Sequence, residues 1–156
     1  MQSNHYKKLP LMLILSVLSM YTVMFLNVDE IGHIYFSLTR LYMSILMACP
    51  MTVLMLLLMP MMYPNKKANR FILFSSAGIF ILTLILLRTQ AFISDKQYMK
   101  AMIPHHSSAI MTSKRAGIKD RNVRKLADSI IVSQQAEILR MKFLIDTLDG
   151  KFSRGQ

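Results

Sequence analysis

A single cysteine, Cys49, leaves no partner for an intrachain disulfide. Charge is scarce too: 17% of the 156 residues are charged and 53% are hydrophobic, which excludes a large independent core and leaves one membrane unit plus at most one small domain. Three stretches lack charge altogether, Leu9 to Leu26, Leu41 to Tyr63 and Phe71 to Leu87. Each is close to the ~20 residues that a helix needs to cross ~30 Å of hydrocarbon. Also missing are a Gly-rich phosphate loop, a Ser or Cys nucleophile beside a base, and, in the helical stretches, the Glu-x-x-His pair of di-iron bundles, a spacing that occurs only at Glu30–His33 in the first loop, so the sequence is not read as an enzyme.

What is present first fixes a topology. Ser16 to Leu26 offers no small-x-small cleavage site, so the first stretch reads as an uncleaved anchor. Lys7 and Lys8 precede it, and Lys66, Lys67 and Arg70 fill the second loop, which assigns both to the cytoplasmic side. The loop from Asn27 to Arg40, with Asp29, Glu30 and His33, then faces out, and so does everything after the third span. That outward segment, Arg88 to Gln156, holds 13 of the cations against 6 carboxylates, a net +7 out of +11. Such a balance suits anionic lipid at the bilayer surface; a nucleic-acid partner is not expected for a segment held outside the membrane.

The outward segment reads as two helices. Ser94-Asp95-Lys96-Gln97 has capping-box spacing, which starts a helix near Asp95, and Gly117 is expected to end it in the left-handed conformation. Asp120 caps a second helix that runs to about Leu148 and stops at Asp149-Gly150. The second helix has an apolar stripe at helical spacing that includes Val123, Leu126, Ile130, Ile138, Ile145 and Leu148, with Gln134, Glu137 and Met141 inside it. An ideal antiparallel hairpin turning near residue 120 sets Met99 level with Met141, Met102 with Ile138 and Glu137, and His106 with Gln134. His5 and His33 are expected at the surface.

Met99, Met102, His105, His106, Glu137 and Met141 therefore form the candidate metal site. Thioether sulfur is a soft ligand that favours Cu(I), and silver by the same softness; imidazole suits copper in either oxidation state. Glu137 is either a ligand or the group that orients a histidine through its other ring nitrogen. Against this stands the reading of methionine as adaptable core filler. Adjacent His105 and His106 point about 100° apart on a helix, so only one of them can enter the seam.

Tyr98-Met99-Lys100-Ala101-Met102-Ile103-Pro104-His105-His106, followed by Gln134-Gln135-Ala136-Glu137-Ile138 and Met141, resembles a bacterial domain-of-unknown-function family whose signature is Met-Ile-Pro-His-His with a later Gln-x-x-Glu-Ile-x-x-Met. The likeness covers about residues 95 to 148. It implies a ferritin-like helical fold and, from extracytoplasmic members associated with copper, a copper-binding role for His105, His106, Met102 and Met141. Many members resemble a tandem of two hairpins, whereas this chain has one. A lone hairpin cannot bury both apolar faces, so two chains are expected to pair, or the hairpin to pack on its own membrane part. The three-span anchor suggests a membrane-bound subgroup.

A second methionine pattern lies in the second span, where Met43, Met47, Met51, Met55 and Met59 recur every four residues. Three spans with a Met-x-x-x-Met step look like eukaryotic-type copper transporters, although the expected orientation is opposite; packing methionines are the plainer explanation. The expectations are then an all-α chain, with a membrane domain over 1–90 (spans about 9–26, 41–63 and 71–90) and an extracytoplasmic helical hairpin, half of a ferritin-like four-helix bundle, over 94–149. It would be a multi-pass protein of a bacterial plasma membrane with a cytoplasmic N-terminus, a homodimer or higher homo-oligomer through the hairpin, with copper sequestration or handover as its role. Copper transport along the methionine ladder, and a metal-free structural or interaction role, are the alternatives.

Overall fold

In a computed structural model, residues 3–151 are described, and among them every regular element is helical. The order is α1 (Ser3–Val23), a 3-10 turn (Ile31–His33), α2 (Leu38–Leu58), α3 (Lys66–Thr89), α4 (Asp95–Arg115) and α5 (Arg121–Leu148). The chain divides into two compact units: residues 1–24 with 39–92, and residues 25–38 with 93–156. The first loop thus belongs with α4 and α5, and the other unit contains α1, α2 and α3.

Two of the helices, Leu38–Leu58 and Lys66–Thr89, are long and apolar enough to cross a membrane. α1 is not one of them, because Lys7 and Lys8 occupy its start and its charge-free part, Leu9 to Val23, is only about 22 Å long at helical rise. Within this unit a cluster of Leu9, Leu56 and Tyr63, with Tyr6, Leu13, Met55 and Ile72 packed on it, ties the three helices together at one end. The polar groups there are satisfied internally, as an apolar setting demands. Tyr6 donates its hydroxyl hydrogen to Asn69 Oδ1 at 2.8 Å and accepts from the Asn65 amide at 3.0 Å. Asn65 in turn caps α3 by accepting from the Lys67 and Ala68 amides. Farther along, Ser76 Oγ donates to the Cys49 carbonyl at 3.0 Å, next to Pro50 in α2.

The methionine ladder lies mostly at the surface of the chain. Met43, Met47, Met51 and Met59 are exposed on the protein surface, Met59 lies beyond the end of α2, and only Met55 packs into the cluster, where it takes a 3.8 Å contact from the Tyr63 hydroxyl.

In the other unit, helix boundaries follow local capping chemistry. Ser94 Oγ accepts from the Gln97 amide, but the capping box is only half made: Gln97 Oε1 accepts instead from the Leu38 amide at 3.1 Å. Asp120 Oδ1 accepts from the amides of Asn122 and Val123, both at 2.9 Å, and starts α5. Asp120→Ala is expected to cost about 1 kcal/mol, since the two amides lose their acceptor, and chemical denaturation followed by helical circular dichroism measures it. At the other end Gly150 takes a φ of 71°, the left-handed conformation that stops α5. Gly117 does not play the corresponding part for α4. The helix ends at Arg115, Ala116 is extended at φ −64° and ψ 132°, and the left-handed non-glycine residues are Gln90 and Phe92, at the break after α3.

Candidate functional site

α4 buries Met99, Ile103 and Ile110 along one stripe, against Ile138 and Ile145 of α5, with Ile131, Met141 and Tyr35 packed around them. Burying a side chain of this size stabilises the pair by roughly 1.5–3 kcal/mol each, which is why the two helices adhere despite their charge. Lys96 at the start of α4 pairs with Asp149 just past the end of α5, so the helices run in opposite directions. Pro104 lies within α4, fully buried, and the helix continues unbroken through it.

The register differs from the ideal hairpin. His106 Nδ1 lies 3.2 Å from Glu137 Oε2, so His106 meets Glu137 rather than Gln134. The Lys96–Asp149 pair shows the same displacement toward the C-terminus of α5. Glu137 is held from its own helix by Ser133, whose hydroxyl donates to Oε1 at 3.0 Å. His106 Nδ1 and Gln134 Oε1 are both buried with no hydrogen-bond partner: the Glu137 contact is close but not aligned as a bond. Buried polar atoms are almost always satisfied, so two orphans on facing helices mark a spot that something else completes.

Burial pushes the pKa of His106 down, and neighbouring His105 adds to the effect, while Glu137 opposes it. The imidazole is thus neutral near pH 7, the form that ligates metal. His105 is exposed, its ring centroid 6.1 Å from that of His106. Of the other candidates, Met99 is buried in the core, Met102 and Met141 are half-buried, and Glu137 is exposed. The fold therefore brings His106 and Glu137 together and sets Met99 and Met141 in one apolar cluster. Among the described residues, no three His, Cys, Asp or Glu side chains converge closely enough to hold a metal ion, so a centre here must draw on thioethers.

One polar constellation was not legible in the sequence. The expected surface residue His33 is 6% exposed, whereas His5 is exposed as expected. Ser107, wholly buried on α4, accepts from the Asp29 amide at 2.8 Å and shares a 2.9 Å hydrogen bond with His33 Nδ1. Asp29 also pairs with Lys114 at 2.6 Å, and Asn27 Nδ2 donates to Ser108 at 2.7 Å. Residues 25–38 are thereby strapped along α4 beside the His105-His106 pair. Glu30 stands 3.5 Å from His33 Nε2, which completes a Ser-His-Glu line. It is not a nucleophilic site, because no substrate atom can reach a Ser107 hydroxyl with no exposed surface. Only the adjacency of two serines to the histidine pair hinted at this role.

The model of the domain of unknown function DUF305 matches residues 84–145, which cover the end of α3, all of α4 and most of α5. No solved structure matches the chain. The uncharacterized protein L153 of Acanthamoeba polyphaga mimivirus is 40% identical over 139 residues, a stretch that covers 87% of this chain and 90% of that protein. A likeness of that extent takes in the membrane-type helices as well as the α4–α5 pair, and the chain accordingly belongs to the same family as that mimivirus protein, one that carries a domain of unknown function in its C-terminal half.

Proposed function

We propose that this chain is a membrane-tethered copper-binding protein that sequesters or hands on Cu(I) outside the cytoplasm. α2 and α3 act as full spans and α1 as a shorter third one, with Lys7 and Lys8 at the membrane surface, and α4 with α5 forms half of a ferritin-like bundle. The observation that carries the reading is the buried, unsatisfied Nδ1 of His106 beside Glu137, on a helix pair whose remaining donors are thioethers. A neutral imidazole beside a carboxylate, with Met102 and Met141 on the same two helices, is a soft donor set that suits Cu(I) over hard cations. The grouping of residues 25–38 with α4 and α5 supports the topology, since the first loop and the C-terminal segment are both expected outside. The positive charge of the C-terminal segment suits a position beside anionic lipid.

Titration of the detergent-purified protein with Cu(I) against a competing chelator tests the proposal. Tight binding is expected in the wild type and its loss in His105→Ala/His106→Ala. Equal affinity in the two proteins would sink it.

A further inference from the structure

The α4–α5 pair has two broad faces, and within its own unit residues 25–38 cover only one of them. On the covered face Ser107 is tied to residues 25–38, Tyr35 packs on the core, and a Cβ added at Gly32 would lie 4.0 Å from Lys142 Nζ, so the strap reaches α5 as well. The other face is open. At about 100° per residue, Tyr98, Met102 and His105 share one side of α4, and Val123, Leu126, Glu137, Leu144 and Leu148 share one side of α5. His106 and Glu137, which touch, mark these as the same face of the pair. Most of its large apolar residues are half or more exposed: Leu126 60%, Tyr98 55%, Leu148 55% and Val123 50%, with Leu144 at 40%. The candidate copper ligands sit in the middle of this apolar surface.

We propose that a second copy of this chain covers the open face and that the copper site is completed across it; the inference rests on the copper reading above. Three observations select a second copy as the occupant. First, one chain is short of ligands: among the described residues no three His, Cys, Asp or Glu side chains converge, and its buried His106 Nδ1 and Gln134 Oε1 lack partners. Second, a two-fold axis parallel to the helices sets α4 of each copy on α5 of the other, so that every neighbouring pair in the resulting four-helix bundle is antiparallel. At that register exposed His105 faces the partner's Glu137, whose carboxylate is half exposed, and Met102 stands level with the partner's Met141. Third, the area suffices: a face about 42 Å long and about 20 Å wide presents on the order of 800 Å² per partner, the size of a standard stable interface.

The test uses the full chain in detergent or lipid nanodiscs, with Cu(I) as the probe. Native mass spectrometry of the wild type is expected to show a dimer. Leu126→Glu/Leu144→Glu, which removes no proposed ligand, should be monomeric and bind Cu(I) weaker by on the order of 100-fold or more. Because that variant risks misfolding, a mixed dimer gives a second measure: a wild-type copy paired, through separate affinity tags, with a His105→Ala/His106→Ala copy is expected to lose tight binding altogether. A monomeric wild type, a monomeric open-face variant with wild-type affinity, or a mixed dimer that keeps one tight Cu(I) would each overturn the shared site while leaving copper binding itself intact. A wild-type protein that dimerises but binds no Cu(I) overturns the copper reading first, and the shared site with it.

Discussion

Ser107→Ala is expected to release residues 25–38 from α4 and to destabilise the unit by about 2–6 kcal/mol, from a buried and a part-buried group left unsatisfied at about 1–3 kcal/mol each. The Asp29 amide loses its acceptor and His33 Nδ1 its partner, both in places that water does not reach freely. The substitution removes one oxygen and introduces no clash, so lost packing cannot account for the effect. The remaining ties, Lys114–Asp29 at 2.6 Å and Asn27–Ser108 at 2.7 Å, are exposed and contribute little. Hydrogen exchange resolves the outcome locally. Protection at the Asp29 amide and at the Ile34 amide, which closes the 3-10 turn onto Ile31, should fall, whereas the mid-helix amides of α5 should hold. Unchanged protection at Asp29 would mean that the strap is held by something other than Ser107.

The helix boundaries were readable because caps are local chemistry. Ser94, Asp120 and Gly150 each act within four residues of their own position and cap where their types announce, although the side chain of Gln97 does not return to Ser94. Gly117 fails for a reason on the same scale: Ala116 turns extended at once and the Ile118 amide returns to the Ala116 carbonyl, so no left-handed residue is needed there. The strap was not readable, because His33 and Ser107 are 74 positions apart and a 14-residue loop with no period carries no signal of what it will cover. The site lies between these cases. Hydrophobic spacing found the stripe of the second helix that contains Ile138, Met141 and Ile145, yet the partner of His106 depended on a shift of three residues along α5 that no periodicity encodes. Ile103 and Ser107, neither with any exposed surface, sit on the inward face of α4 one step around the helix from the Met102 and His106 positions that ideal hairpin spacing sets toward α5.

Acidification should undo the same strap. Burial lowers the pKa of His33 from the usual 6.5, with help from Lys142 and Lys114; Glu30 and Asp29 pull the other way. Glu30 is itself exposed, so its attraction is screened and burial prevails. His106 is lowered in the same sense by burial and His105. For a base whose folded-state pKa is depressed, the unfolded chain binds the proton first. The stability contribution is therefore fully present above the unfolded value near 6.5 and is lost as pH falls through the folded value. The loss begins before the carboxylates titrate; Asp149, beside Lys96, is held below the ordinary carboxylate range. Exchange of the amides in residues 25–38 should accelerate between neutral and mildly acidic pH, and His33→Gln, which keeps an acceptor for Ser107 but cannot charge, should remove most of that dependence. The His33→Gln protein must remain protected at neutral pH for the comparison to bear on charge; if its protection there is normal and its acid response matches the wild type, the strap is not released through His33.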